Sequence, residues 1–173
     1  MVNRSILSIS LFGFIVGLGT GLFDALFHIL DLNHYKLLNF LIFIFFLSGV
    51  YLATIKIRED SYNGIINYWG SLINYLLIGL VASVTIAFVR YIYLKLINIT
   101  DITQLVSNTK DSILNYYGID NQEFINNRLE FIEFIYDPFI SSLFYFLYYM
   151  VFVIVFAVIS SFFIRKQLPS NAY

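Results

Sequence analysis

Four long apolar runs, each nearly free of charge, constrain this chain more than any other feature. They cover about residues 5–30, 37–57, 69–97 and 138–164. Each reaches the roughly 20 residues that a helix needs to cross the hydrocarbon core of a bilayer. The composition agrees: 60% of the 173 residues are hydrophobic and 12% are charged, against roughly 45–50% and about 25% in soluble domains. The expected fold is all-α, an integral membrane protein with a four-transmembrane-helix bundle in a single domain, 1–173.

The ends of the runs carry the signals of helix boundaries. Arg4 ahead of the first run suggests a signal peptide, but the run is too long for one and no small-x-small cleavage site follows it, so it reads as a retained helix. The second run has no charge before Lys56 and closes on Arg58, Glu59 and Asp60. The third is interrupted by Arg90 and Lys95 near its far end. The fourth opens at Pro138, a residue suited to the first helical turn, with Asp137 placed to cap it, and ends at Arg165-Lys166.

Flanking charge sets the expected orientation. Arg4, Lys56, Arg58, Arg165 and Lys166 fall on one side, against Lys36 and Lys95 on the other with Arg90 embedded. The positive-inside rule then places both termini and the 56–68 connection in the cytoplasm. Residues 98–137 lie outside, with seven acids (Asp101, Asp111, Asp120, Glu123, Glu130, Glu133 and Asp137) against Lys110 and Arg128. Two helices are expected there. One runs from Asp101 to about Tyr117 and stops at Gly118; the next starts on Asp120 with Glu123 three residues on. Ile125, Leu129, Ile132 and Tyr136 form its apolar face, expected to pack on the protein's own bundle.

Helix one carries the most informative pattern. Gly13, Gly17, Gly21, Asp24, His28 and Asp31 fall within roughly 80° of arc at about 100° per residue, so they share one face. Glycines at this spacing let a second helix approach closely. Helix three has a stripe of its own in Gly79, Ser83, Ala87 and Arg90, and the two stripes are expected to meet. A lone charge inside a bilayer costs at least ~2.5–3.5 kcal/mol, so Asp24 and Arg90 are expected to pair, with His28 alongside. The structural reading is that this cluster pins one helix to another; the functional reading is a proton relay or ion site.

Other signals carry less. Gly17-Leu18-Gly19-Thr20-Gly21 has neither the preceding strand nor the lysine of a phosphate loop. Asp24, His28 and Asp31 are a weak metal-ligand set, with no second histidine among them, and His34 reads as a loop residue. Asn98-Ile99-Thr100 fits a glycosylation acceptor only in a secretory eukaryotic setting. Phe144, Tyr145, Phe146, Tyr148 and Tyr149 read as lipid and interface contacts. With no cysteine in the chain, disulfides and thiol chemistry are excluded. A net charge of −1 argues against a nucleic-acid partner. No cofactor and no metal is expected; the expected partners are the lipid bilayer and another membrane protein or a second copy of this chain.

Several features together resemble a known family. They are the glycine-rich first helix, the stretch Lys56-Ile57-Arg58-Glu59-Asp60-Ser61-Tyr62-Asn63-Gly64, and the opening Tyr68-Trp69-Gly70 of helix three. An acidic segment then leads into Asp137-Pro138, and Arg165-Lys166 gives a basic end. The chain is similar over nearly its whole length to small four-span inner-membrane proteins of Bacteroidetes-type bacteria, domain of unknown function 4199. The resemblance implies four spans and a bacterial cytoplasmic membrane, and carries no activity or site residue with it. The leading expectation is a non-enzymatic accessory or assembly subunit of the cell envelope. The alternatives are a small proton- or ion-coupled transporter using Asp24, His28, Asp31 and Arg90, and a membrane enzyme acting on a lipid-linked substrate.

Overall fold

Hydrocarbon offers no partner to backbone N–H and C=O groups, so a spanning segment must satisfy them internally, as a helix does. The computed structural model describes residues 2–30, 32, 36–96, 107–114 and 122–166, with side chains at 2–5, 36 and 122–125 left aside. Its helices are α1 (Val2–Ile29), α2 (Lys36–Tyr62), α3 (Tyr68–Leu96), α4 (Gln122–Tyr136) and α5 (Pro138–Ile164); residues 107–114 are also helical. Four of these are long and apolar enough to cross a membrane: Ile6–Ile29, Leu37–Tyr62, Tyr68–Leu96 and Pro138–Ile164. The chain is a multi-pass, all-α membrane protein.

α2 continues past the point where its apolar run ends. Lys56, Arg58, Glu59 and Asp60 are polar but helix-compatible, and Lys56 pairs with Asp60 at 3.0 Å across one turn. The helix stops at a turn in which Asn63 (φ 52°) and Gly64 (φ 80°) are both left-handed, a conformation that glycine adopts without strain. At the start of α5, the Asp137 carboxylate accepts from the backbone N–H groups of Phe139 (2.9 Å) and Ile140 (3.0 Å). Asp137→Ala is expected to cost about 1 kcal/mol, read as faster amide exchange in the first turn of α5.

α3 is the centre of the bundle, packed along α1 on one side and α5 on another, while α2 rests on α1 and α3. Phe46, Val50, Tyr75, Ile78, Ile86 and Val153 are fully buried between them. Large apolar residues such as Leu7, Phe88 and Phe163 point outward instead, which suits a surface facing lipid. Five hydroxyls within the spans satisfy themselves locally: Thr20, Thr54, Thr85, Ser142 and Ser161 each donate to the carbonyl four residues back, a common solution in membrane helices.

The two ends of the bundle differ. At one end Arg58 Nη1 donates to the Ile164 carbonyl (2.9 Å), satisfying a C-terminal carbonyl that has no partner within α5. Ile66 and Lys166 exchange backbone hydrogen bonds of 3.1 and 3.0 Å beside it. At the other end lie Asp24, Arg90 and the segment containing α4. α4 meets α5 of the bundle, and Ile132 and Ile135 line a cleft shared with Thr109 and Ile113 of the 107–114 helix. Asp101, Tyr117, Gly118 and Asp120 lie outside the described residues, as does the Ile125 side chain.

Candidate functional site

The glycine face of α1 lies against α3. A Cβ on Gly13 would stand 2.8 Å from the Ile78 carbonyl oxygen, and one on Gly21 would stand 3.0 Å from Val89 Cβ. Gly17 is the tightest, with Ala82 Cα 2.9 Å and Thr85 Cβ 2.7 Å from the same hypothetical atom. Of the expected α3 stripe, Gly79 and Ala87 turn to α5 instead. Gly79 lies against Val153 of α5, and Ala87 shares an apolar groove with Phe139, Ser142 and Phe146 of α5. α1 offers glycines to Val81, Ala82, Thr85 and Val89 of α3, and α3 offers Gly79 to a valine of α5.

Both contacts end in charge. Asp24 lies five residues before the end of α1, and Arg90 six before the end of α3. At 1.5 Å per residue both sit about 7–9 Å inside the helix ends. Arg90 Nη1 stands 3.7 Å from Asp24 Oδ2 and 2.9 Å from His28 Nε2. His28 Nδ1 is 3.0 Å from the Asp24 backbone carbonyl and 3.8 Å from its carboxylate. A guanidinium can only donate, so His28 Nε2 accepts, which assigns the ring proton to Nδ1 and makes the Asp24 carbonyl its acceptor. In this tautomer His28 is neutral, and the charges of Asp24 and Arg90 balance. Asp31 and His34 lie outside the described residues.

The last helix completes the site, a contribution missing from the sequence reading. Tyr145 and Tyr149 turn inward from α5 rather than toward lipid; Tyr149 is buried, whereas Phe144 is exposed as expected. The Arg90 guanidinium lies 4.6 Å from the centre of the Tyr145 ring and 5.7 Å from that of Tyr93, close enough for cation–π attraction. A cleft of about 350 Å³ opens beside the cluster, lined by Asp24, His28, Asn39, Ile42, Phe43, Tyr145, Tyr148 and Tyr149. It therefore draws on α1, α2 and α5, at the Asp24 end of the bundle. The signal for α5 lay in its small residues: Ser142, Ala157 and Ser160 stand among bulky neighbours on the buried face that also holds Tyr149 and Val153.

A family model described as "Protein of unknown function (DUF4199)" matches residues 11–166. No curated protein and no solved structure matches the chain.

Proposed function

The chain belongs to the DUF4199 family, and from that premise and its own cleft we propose that it is a non-enzymatic binding component of the bacterial cytoplasmic membrane. In this reading both termini are cytoplasmic, and the cleft beside Asp24 holds a small ligand at the outer face. One observation carries it: a cleft with Asp24 and His28 in its lining opens at the Asp24 end, above a core whose central residues are fully buried. Ligand sites are concave and mostly apolar, with a few convergent polar groups, and Asp24 and His28 are those groups here. Orientation rests on the gathering of Lys56, Arg58, Arg165 and Lys166 at the opposite end, the basic side of the positive-inside rule.

A second reading, proton- or ion-coupled transport, draws on the position of His28 between Arg90 and the Asp24 backbone. It requires the opposite end to open, where the Arg58–Ile164 and Ile66–Lys166 contacts hold α2, α5 and the turn before α3 together.

The absence of cysteine makes single-cysteine labelling direct. In right-side-out vesicles, a membrane-impermeant thiol reagent is expected to modify Ser112→Cys and Asn39→Cys, and to reach Ser61→Cys only after the vesicles are opened. If Asn39→Cys stays unlabelled in opened vesicles, water does not reach the cleft and the binding reading fails. Labelling of Ser61→Cys in closed vesicles would reverse the orientation.

A further inference from the structure

The lining of the cleft favours a positively charged guest. Among the described lining residues, the one formal charge is the Asp24 carboxylate. The nearest cation, Arg90, makes its close hydrogen bond to His28 at 2.9 Å and lies over Tyr145, while remaining 3.7 Å from the carboxylate, beyond hydrogen-bond length. Both His28 nitrogens are already engaged, one by Arg90 and one by a backbone carbonyl. Asp24 thus has ionic neighbours, yet neither His28 nor Arg90 gives its carboxylate a hydrogen bond.

Four aromatic rings, Phe43, Tyr145, Tyr148 and Tyr149, line the same cleft as Asp24 and meet one another at angles from 36° to 87°. Tyr148 and Tyr149 meet at 87° with centroids 5.5 Å apart, Tyr145 and Tyr149 at 51°, and Phe43 and Tyr148 at 56°. A carboxylate and four aromatic rings in one lining suit an organic ammonium ion, which is drawn both to the anion and to ring quadrupoles. An anion would meet like charge at Asp24, whereas Arg90 is not among the residues that line the cleft. A volume of about 350 Å³ lies at the small end of ligand sites.

We infer that this cleft binds an ammonium group, primary or quaternary, carried by a lipid headgroup or by a small free amine. The inference rests on the proposed binding role of the cleft. Its test uses the full chain carrying Asn39→Cys, in nanodiscs, with the rate of thiol labelling as readout. In phosphatidylglycerol nanodiscs, tetramethylammonium or ethanolamine is expected to slow labelling several-fold if free amines are the guest, whereas inorganic phosphate and glycerol leave the rate unchanged. If the source is a lipid, labelling is already slow in phosphatidylethanolamine nanodiscs and fast in phosphatidylglycerol. Tyr148→Leu, at a half-exposed wall position, is expected to weaken either protection about fivefold while leaving thermal stability unchanged. Labelling that proceeds equally under all amines and both lipids, or that phosphate or glycerol slows as much, overturns the ammonium assignment and leaves the cleft's binding role standing. No labelling under any condition overturns both.

Discussion

Arg90→Met is expected to cost about 3 kcal/mol of stability in detergent, roughly a hundredfold in the folding equilibrium, and Asp24→Asn distinctly less. The asymmetry follows from what each substitution leaves behind. Without Arg90, the Asp24 carboxylate is left, among the described residues, beside a neutral histidine at 3.8 Å, and an uncompensated charge inside the bilayer costs at least ~2.5–3.5 kcal/mol. Without the Asp24 charge, Arg90 still donates to His28 and still lies over Tyr145. The double variant Asp24→Asn/Arg90→Met removes both charges and is expected to recover most of the loss, because replacing a buried pair outright is far milder than orphaning one member. Unfolding of the four proteins in mixed micelles gives the coupling through a double-mutant cycle. Additive losses would show that the two charges act independently despite their 3.7 Å separation.

Much of this arrangement was legible in the sequence because it depends on local rules. Span positions follow from runs of apolar residues, and Asp137-Pro138 announces the start of α5 through capping chemistry that needs no tertiary context. The shared face of Gly13, Gly17, Gly21, Asp24 and His28 follows from helical periodicity alone. What periodicity does not give is the partner of each face. Gly79, Ser83, Ala87 and Arg90 do share a face of α3, but Gly79 and Ala87 look toward α5. Only Arg90, whose side chain is long enough to reach past the edge, spans both contacts. The inward turn of Tyr145 and Tyr149 was hidden for a related reason. Inside a membrane protein, aromatic residues suit the core and the lipid face equally, so hydrophobicity does not distinguish them, and the small residues of α5 were the better guide. The reach of α2 to Tyr62 was missed because the end of an apolar run marks the edge of the hydrocarbon, which a helix can pass.

Among the glycines of α1, Gly17→Ala is expected to do the most damage, destabilising the protein by about 2 kcal/mol, with Gly17→Leu preventing folding altogether. The added methyl would stand 2.9 Å from Ala82 Cα as well as against the Ala82 carbonyl oxygen. These are backbone atoms of a helix and cannot turn aside, so α1 and α3 must move apart along the contact. Gly13→Ala is expected next: it presses on the Ile78 carbonyl oxygen at 2.8 Å and on Val81. Gly21→Ala should be milder, because its neighbours are side-chain atoms of Val89 at 3.0–3.2 Å. Gly19→Ala should be neutral or slightly stabilising, since its Cβ would meet only Phe45, at 3.7 Å, and alanine is the better helix former. The same wedge acts on the site, because Gly17 lies two turns from Asp24 on the face that meets α3. Separating the helices there draws Asp24 and His28 away from Arg90, so the Asp24–Arg90 coupling should shrink in the Gly17→Ala background and persist in the Gly19→Ala one. Equal stability of the Gly17→Ala and Gly19→Ala proteins would mean that the close α1–α3 approach does not exist in the membrane.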